Sequence, residues 1–255
     1  MEQQNPLKSM LSQSRPSIGI WCSLANALCA EVVAGAGADW LLIDCEHSPN
    51  DLVSVVAQLQ AVAPYPLEPV VRLPSDSAIL IKQFMDAGAR SLMIPNVKSA
   101  EQARAIVAAM RYPPMGIRGV SARHRANRFG RLRDYHATAQ AQQLLAVQIE
   151  CAEGVAQAEE IAAVDGVDAL FVGPGDLSAQ LGAMGNPGAP SVQQAISEVG
   201  RAAKAAGKSA GILAPVRAEA TRYIDMGYRM VAVGSDLAIL AAGSEALMQP
   251  FRRDA

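Results

Sequence analysis

The chain has only four cysteines, Cys22, Cys29, Cys45 and Cys151, and no two of them form a CxxC pair. That absence removes zinc ribbons and thioredoxin-type redox motifs, and the apolar runs around them read as reduced thiols of a cytoplasmic protein. Aromatic residues make up 4% of the sequence and apolar residues 51%. The core must then be built from Ala, Val, Leu and Ile, which suits buried parallel strands under Ala-rich helices. No apolar run approaches the roughly 20 residues of a membrane span, and the polar amino terminus lacks a signal-peptide core. The formal charge of −2 gives no general attraction to nucleic acid or anionic membrane. Fixed-period repeats and low-complexity segments are missing as well. So is a dinucleotide fingerprint, because Gly173-Pro174-Gly175 lacks the third glycine.

What is present is a rhythm. Short apolar runs at Ser17 to Cys22, Trp40 to Cys45, Pro69 to Leu73 and Ser91 to Val97 predict four strands. Leu144 to Glu150, Ala169 to Gly173, Ser209 to Ala214 and Met230 to Gly234 predict four more. Helical spacing follows each: Asn26 to Ala36, Asn50 to Ala63, Ala78 to Ala87, Ser99 to Arg111, Glu153 to Val164, Ser191 to Ala206, Val216 to Met226 and Leu237 to Phe251. Glycine closes several of these helices, where a left-handed residue is needed. Eight βα units without a break in composition predict one closed (β/α)8 TIM barrel over residues 1–255, with a doubly wound open sheet as the alternative. Residues 1–16 form a leading arm or short helix. The one long irregular stretch, Arg111 to Ala139, is of a length that usually carries function.

The polar residues gather where such a barrel keeps its chemistry, at the carboxyl ends of the strands. WLLID at Trp40 to Asp44 is followed by Cys45, Glu46 and His47, PVVR ends in Arg72, and VQIE places Gln148 and Glu150 on one face. LFVGPGD ends in Gly175 and Asp176, so a closed barrel brings Glu150 and Asp176 to one spot. Two carboxylates with room for water suit a hard divalent cation such as Mg²⁺ or Mn²⁺. Arg72 beside it can stabilise an oxyanion or grip a carboxylate, and His47 is a candidate general base. Each residue alone also reads as a helix cap or a structural ion pair; together on one rim they point to a site.

The segments DWLLIDCEHSPND, PVVRL, IKQFMDAGA, RYPPMGIRGV, VQIE and GVDALFVGPGDLSAQLG resemble the HpcH/HpaI aldolase family, from about Ile18 to Leu247. These are class II pyruvate aldolases such as 4-hydroxy-2-oxoheptanedioate aldolase. The resemblance implies a barrel of the phosphoenolpyruvate/pyruvate type and an aldehyde-lyase that reversibly cleaves a 4-hydroxy-2-oxo acid to pyruvate and an aldehyde, in aromatic compound catabolism. It implies a divalent metal (Mg²⁺, Mn²⁺ or Co²⁺), small-molecule substrates rather than nucleic acid or membrane, and a homohexamer in which the last helix, within residues 237–255, is exchanged between subunits. By the resemblance, Glu150 and Asp176 are metal ligands. Gln148, Gly175 and Asp176 meet the 2-oxo acid, Arg72 stabilises the enolate and His47 is the base. Asp86 raises the basicity of that histidine, and Asp44 and Glu46 surround the metal waters.

The chain departs from the family pattern at Cys45, Cys151 and Gly175, and its Arg-rich loop is about one residue shorter. Both cysteines read as buried packing, and Lys82 has no rim position from which to form a Schiff base. Rival readings are a citrate-lyase-like or malyl-CoA-like lyase on the same barrel, and a non-catalytic binding barrel. Arg118, Arg123, Arg125, Arg128, Arg131 and Arg133 also raise nucleic-acid binding, against the acidic balance of the chain.

Overall fold

The computed structural model describes residues 4–13 and 15–251. Residues 1–3 and 14 of the 1–16 arm, and 252–255 of the 237–255 helix, lie outside the described residues. The eight strands are β1 (Ser17–Cys22), β2 (Trp40–Asp44), β3 (Glu68–Arg72), β4 (Ser91–Ile94), β5 (Leu144–Ile149), β6 (Ala169–Val172), β7 (Ser209–Leu213) and β8 (Met230–Ser235). All are parallel and pair in sequence order, and β8 pairs back onto β1. That last pairing closes the (β/α)8 barrel and excludes the open doubly wound sheet.

Helices follow in chain order. They are α1 (Pro6–Ser12), α2 (Ala27–Ala34), α3 (Leu52–Ala61), α4 (Ala78–Asp86), α5 (Ala100–Met110), α6 (Tyr135–Gln142), α7 (Ala152–Ala156), α8 (Ala158–Ala162), α9 (Pro174–Gln180), α10 (Pro190–Ala205), α11 (Arg217–Asp225) and α12 (Asp236–Met248). Their starts are chemically marked. Asn26 caps α2, and Asp51 and Ser54 form a reciprocal capping box on α3. Gly37, Gly88, Gly207 and Gly227 turn the chain at φ between +67° and +109°.

The structure differs from the sequence expectation in three places. The helix predicted from Glu153 to Val164 is two short helices joined at Gln157. The irregular stretch after α5 holds a 3-10 turn at Arg128–Gly130 and then the start of α6. A helix also follows β6 at once, with Pro174 in its first turn, where proline is favoured because that N–H has no partner to lose.

Alternation along the strands builds two cores. Trp21, Trp40, Leu42, Val70, Met93 and Phe171 fill the barrel interior, whereas Ile43, Val71, Leu92, Val147 and Ile212 pack outward under the helices. The interior admits its large rings only because two strand positions are glycine. A Cβ at Gly19 would lie 2.1 Å from the Trp40 ring, and one at Gly211 would lie 2.4 Å from Phe171. At the amino-terminal end, Leu7 and Leu11 of α1 join the same interior cluster. Asn5 anchors that helix by donating to Ser91 Oγ at 2.8 Å, and Lys8 pairs with Asp168 at 2.9 Å. The barrel therefore has a floor.

Candidate active site

At the carboxyl rim, the parallel register sets Asp44 directly beside Arg72. Arg72 Nε donates to Asp44 Oδ1 at 2.9 Å and Nη2 donates to Oδ2 at 2.8 Å, a bidentate pair between buried residues. Burial would push the Asp44 carboxyl up. The Arg72 hydrogen bonds and charge, with the backbone N–H groups of Glu46 and His47, hold it below its ordinary value instead. The Ser48-Pro49-Asn50 turn is stapled to the strand end, since Ser48 Oγ and Asn50 Nδ2 both donate to the Asp44 carbonyl.

The free corner of the guanidinium faces the other rim residues. Arg72 Nη1 lies 2.8 Å from Glu46 Oε2, a charge contact without the alignment of a hydrogen bond, and 3.5 Å from Gln148 Oε1. Gln148 Nε2 donates to Glu150 Oε2 at 2.8 Å, confirming that the two share a face. Glu150 Oε1 accepts the Asn96 N–H at 2.8 Å, with Asn96 in the left-handed region at φ 54°. Burial, then the charges of Glu46 and Asp176, push the Glu150 carboxyl up to about 7. Burial also raises Glu46. Asp176 stands exposed in the first turn of α9, and His47 is 64% exposed with Nε2 3.9 Å from Glu46 Oε2.

These residues fit a hard divalent cation. Burial and the charges of Glu46 and Asp176 all disfavour a negative Glu150, which is what such an ion would offset, and the donors are oxygen. Gly173 supplies the space: a Cβ there would meet Glu150 Oε2 at 2.5 Å and Gln148 Nε2 at 3.0 Å. Among the described residues, no group of three or more His, Cys, Asp or Glu is placed to hold a metal ion, so two carboxylates here would be a partial ligand set completed by substrate and water.

Several expectations need correction. Asp44 has a nearer task than the surround of a metal, since both its oxygens accept from Arg72. Asp86 is not beside His47 in this chain. It ends α4, and helices in this fold run back toward the amino-terminal face, so Asp86 lies at the opposite end of the barrel, where Arg118 Nη2 donates to it at 2.5 Å. Cys45 packs in the outer core as expected, its thiol pushed up to about 12 by burial. Cys151 does more than pack, since its Sγ accepts the Gly154 N–H at the start of α7. Three arginines of the Arg-rich segment donate within the chain: Arg118 to Asp86, Arg125 to the Ala87 carbonyl at 2.8 Å and Arg131 to the Arg128 carbonyl at 3.2 Å. The sequence reading assigns neither Asn96 nor Gly173 to the site, yet both lie against Glu150. The signal for Asn96 was its type, since asparagine tolerates the left-handed region.

Comparison with known proteins agrees with this geometry. Residues 17–242 match the family described as HpcH/HpaI aldolase/citrate lyase. A pyruvate aldolase of Rhizobium etli is 49% identical over 247 residues, 97% of each chain. A 4-hydroxy-2-oxo-heptane-1,7-dioate aldolase of Salmonella arizonae is 50% identical over 249 residues, 97% of this chain and 95% of that protein. The crystal structure of a family protein from Burkholderia cenocepacia superposes with a TM-score of 0.95 at 44% identity, covering 98% of this chain and all of that one. With the family model spanning residues 17–242 and two relatives about half identical over nearly the whole chain, the chain belongs to the HpcH/HpaI aldolase/citrate lyase family.

Proposed function

We propose that this chain is a divalent-metal-dependent pyruvate aldolase, reversibly cleaving a 4-hydroxy-2-oxo acid to pyruvate and an aldehyde, with 4-hydroxy-2-oxoheptane-1,7-dioate the first substrate to try. The observation that carries the reading is the Arg72 guanidinium, clamped by Asp44 on one edge with Nη1 turned toward Gln148 and the rim carboxylates. Glu150 and Asp176 hold Mg²⁺, Mn²⁺ or Co²⁺, which supplies Lewis-acid charge for the 2-oxo acid. Arg72 N–H groups stabilise the negative charge that grows on the keto oxygen as the C3–C4 bond breaks. Gln148 and the backbone at Gly175 orient the 2-oxo acid. His47, exposed at the mouth, takes the proton of the C4 hydroxyl, and the carbonyl of the departing aldehyde forms as that bond breaks.

Asp86 can support His47 only from a second copy of the chain, which the proposed homohexamer supplies. The exposed apolar residues of α12 support that assembly, and an exchange of α12 between subunits is part of the proposal. Leu240 is 59% exposed and Leu247 71%, beside Leu237 and Ile239. A cytoplasmic location is supported by four free thiols. No helix among the described residues is long and apolar enough to cross a membrane.

The test is exchange of the pyruvate methyl protons in deuterated water. It should require added metal and be lost in Arg72→Ala and His47→Ala, whereas full exchange in EDTA would sink the mechanism. Screening aldehydes against pyruvate then identifies the acceptor.

A further inference from the structure

Arg72 is held on more than one side. Asp44 takes Nε and Nη2 in the plane of the guanidinium, and the Trp21 ring lies against the group, its centroid 5.0 Å from Cζ. Trp21 is buried and braced in turn. It leans on Phe171 at 5.8 Å, and Phe171 meets Trp40 edge-on at 6.4 Å. This column stands only because Gly19 and Gly211 clear space for Trp40 and Phe171. The chain has two tryptophans and four phenylalanines, and both tryptophans and one phenylalanine are stacked beneath this one arginine. Branched aliphatic side chains ordinarily fill a barrel of this kind, so volume alone does not call for the rings.

We propose that Trp21 is a positioning residue for Arg72, its indole fixing the plane of the guanidinium so that Nη1 stays within reach of Gln148 and the substrate. The proposal rests on the aldolase reading, in which Arg72 meets the keto oxygen. Nη1 is shared between two neighbours, 2.8 Å from Glu46 Oε2 and 3.5 Å from Gln148 Oε1, so the tilt of the guanidinium decides whether it reaches Gln148 at all. Asp44 fixes one edge of the guanidinium but leaves the arginine stem free to tilt about that edge. An aromatic face opposes the tilt by cation–π attraction, strongest where water is excluded, and an aliphatic side chain does not.

Trp21→Phe keeps a π-face, and Trp21→Leu keeps only apolar bulk. In pyruvate proton exchange with Mg²⁺ present, kcat should rank wild type, then Phe, then Leu. The Leu variant should fall about 10- to 30-fold and the Phe variant about 3-fold, with KM for pyruvate held within about 3-fold in both. A crystal structure of metal-free Trp21→Leu should show the guanidinium tilted about its Asp44 edge, with Nη1 moved away from Gln148. Equal kcat in the two variants, a loss carried by KM alone, or an unmoved Arg72 would overturn the proposal. Should the Leu variant fail to fold, Trp21→Met takes its place, and a Met variant as active as Phe is the overturning result. Absence of exchange in the wild type would instead remove the aldolase reading, and the position of Arg72 in the Leu or Met crystal would still decide the role of Trp21.

Discussion

Both oxygens of Asp44 lie on Arg72, and the two residues are only 1% and 5% exposed. Removing one charge of such a pair leaves the other buried and unmatched, which costs about 3–5 kcal/mol. Asp44→Asn should therefore lower the melting temperature at neutral pH and reduce turnover, because Arg72 loses its anchor. The pH dependence has a definite sign. The Asp44 carboxyl is held below its ordinary value in the folded protein, so the stability it contributes is present above the usual carboxylate range and is lost as pH falls through the lowered value. Melting curves of wild type and Asp44→Asn should differ most above about pH 5 and converge in acid; a constant gap would show that the charge of Asp44 is not what stabilises the pair. At this scale the residue types were legible and their partners were not. Alternation shows that Asp44 and Arg72 end neighbouring strands, but only the register, Asp44 beside Arg72, decides that they neutralise each other.

The elements were easier to read than their directions. All eight strands and most helices follow from apolar period and capping residues, since these patterns are local. Asp86 shows what locality misses: it falls in α4, after the strand that ends in Arg72, yet the helix carries it to the far face of the barrel. The split at Gln157 and the immediate start of α9 escaped because each helix is too short to show a period. The turn from β6 into α9 makes its own prediction. Gly173 has an ordinary φ of −93°, so Gly173→Ala adds no backbone strain, only a methyl group against Glu150 and Gln148. Divalent-cation affinity, measured by Mn²⁺ titration, should weaken about 10- to 100-fold, the usual effect of disturbing a ligand's support. Unchanged affinity would place the cation elsewhere.

For the whole molecule, α12 is the unfinished part. Its N-terminus is fixed, because Asp236 accepts the N–H groups of Ser23 and Leu24 at 2.8 and 3.1 Å, while its apolar residues face outward. Burying each such side chain in an assembly is worth about 1.5–3 kcal/mol. Leu240→Asp with Leu247→Asp should therefore shift the protein to a smaller species in light scattering, and an unchanged mass would remove α12 from the assembly. Nothing in a single sequence states how many copies meet; the outward apolar face appears only once the inward one is known.

The floor made by Leu7 and Leu11, with the aromatic column above it, leaves the barrel a single mouth. Reactants must queue there. In the proposed reaction the 2-oxo acid end would lie deeper, against Arg72 and Gln148, and the aldehyde end outside it, toward exposed His47. On that binding mode the aldehyde would have to depart before pyruvate, giving a compulsory sequence, last in and first out. Steady-state product inhibition should show it, with pyruvate competing directly against the 4-hydroxy-2-oxo acid and the aldehyde not.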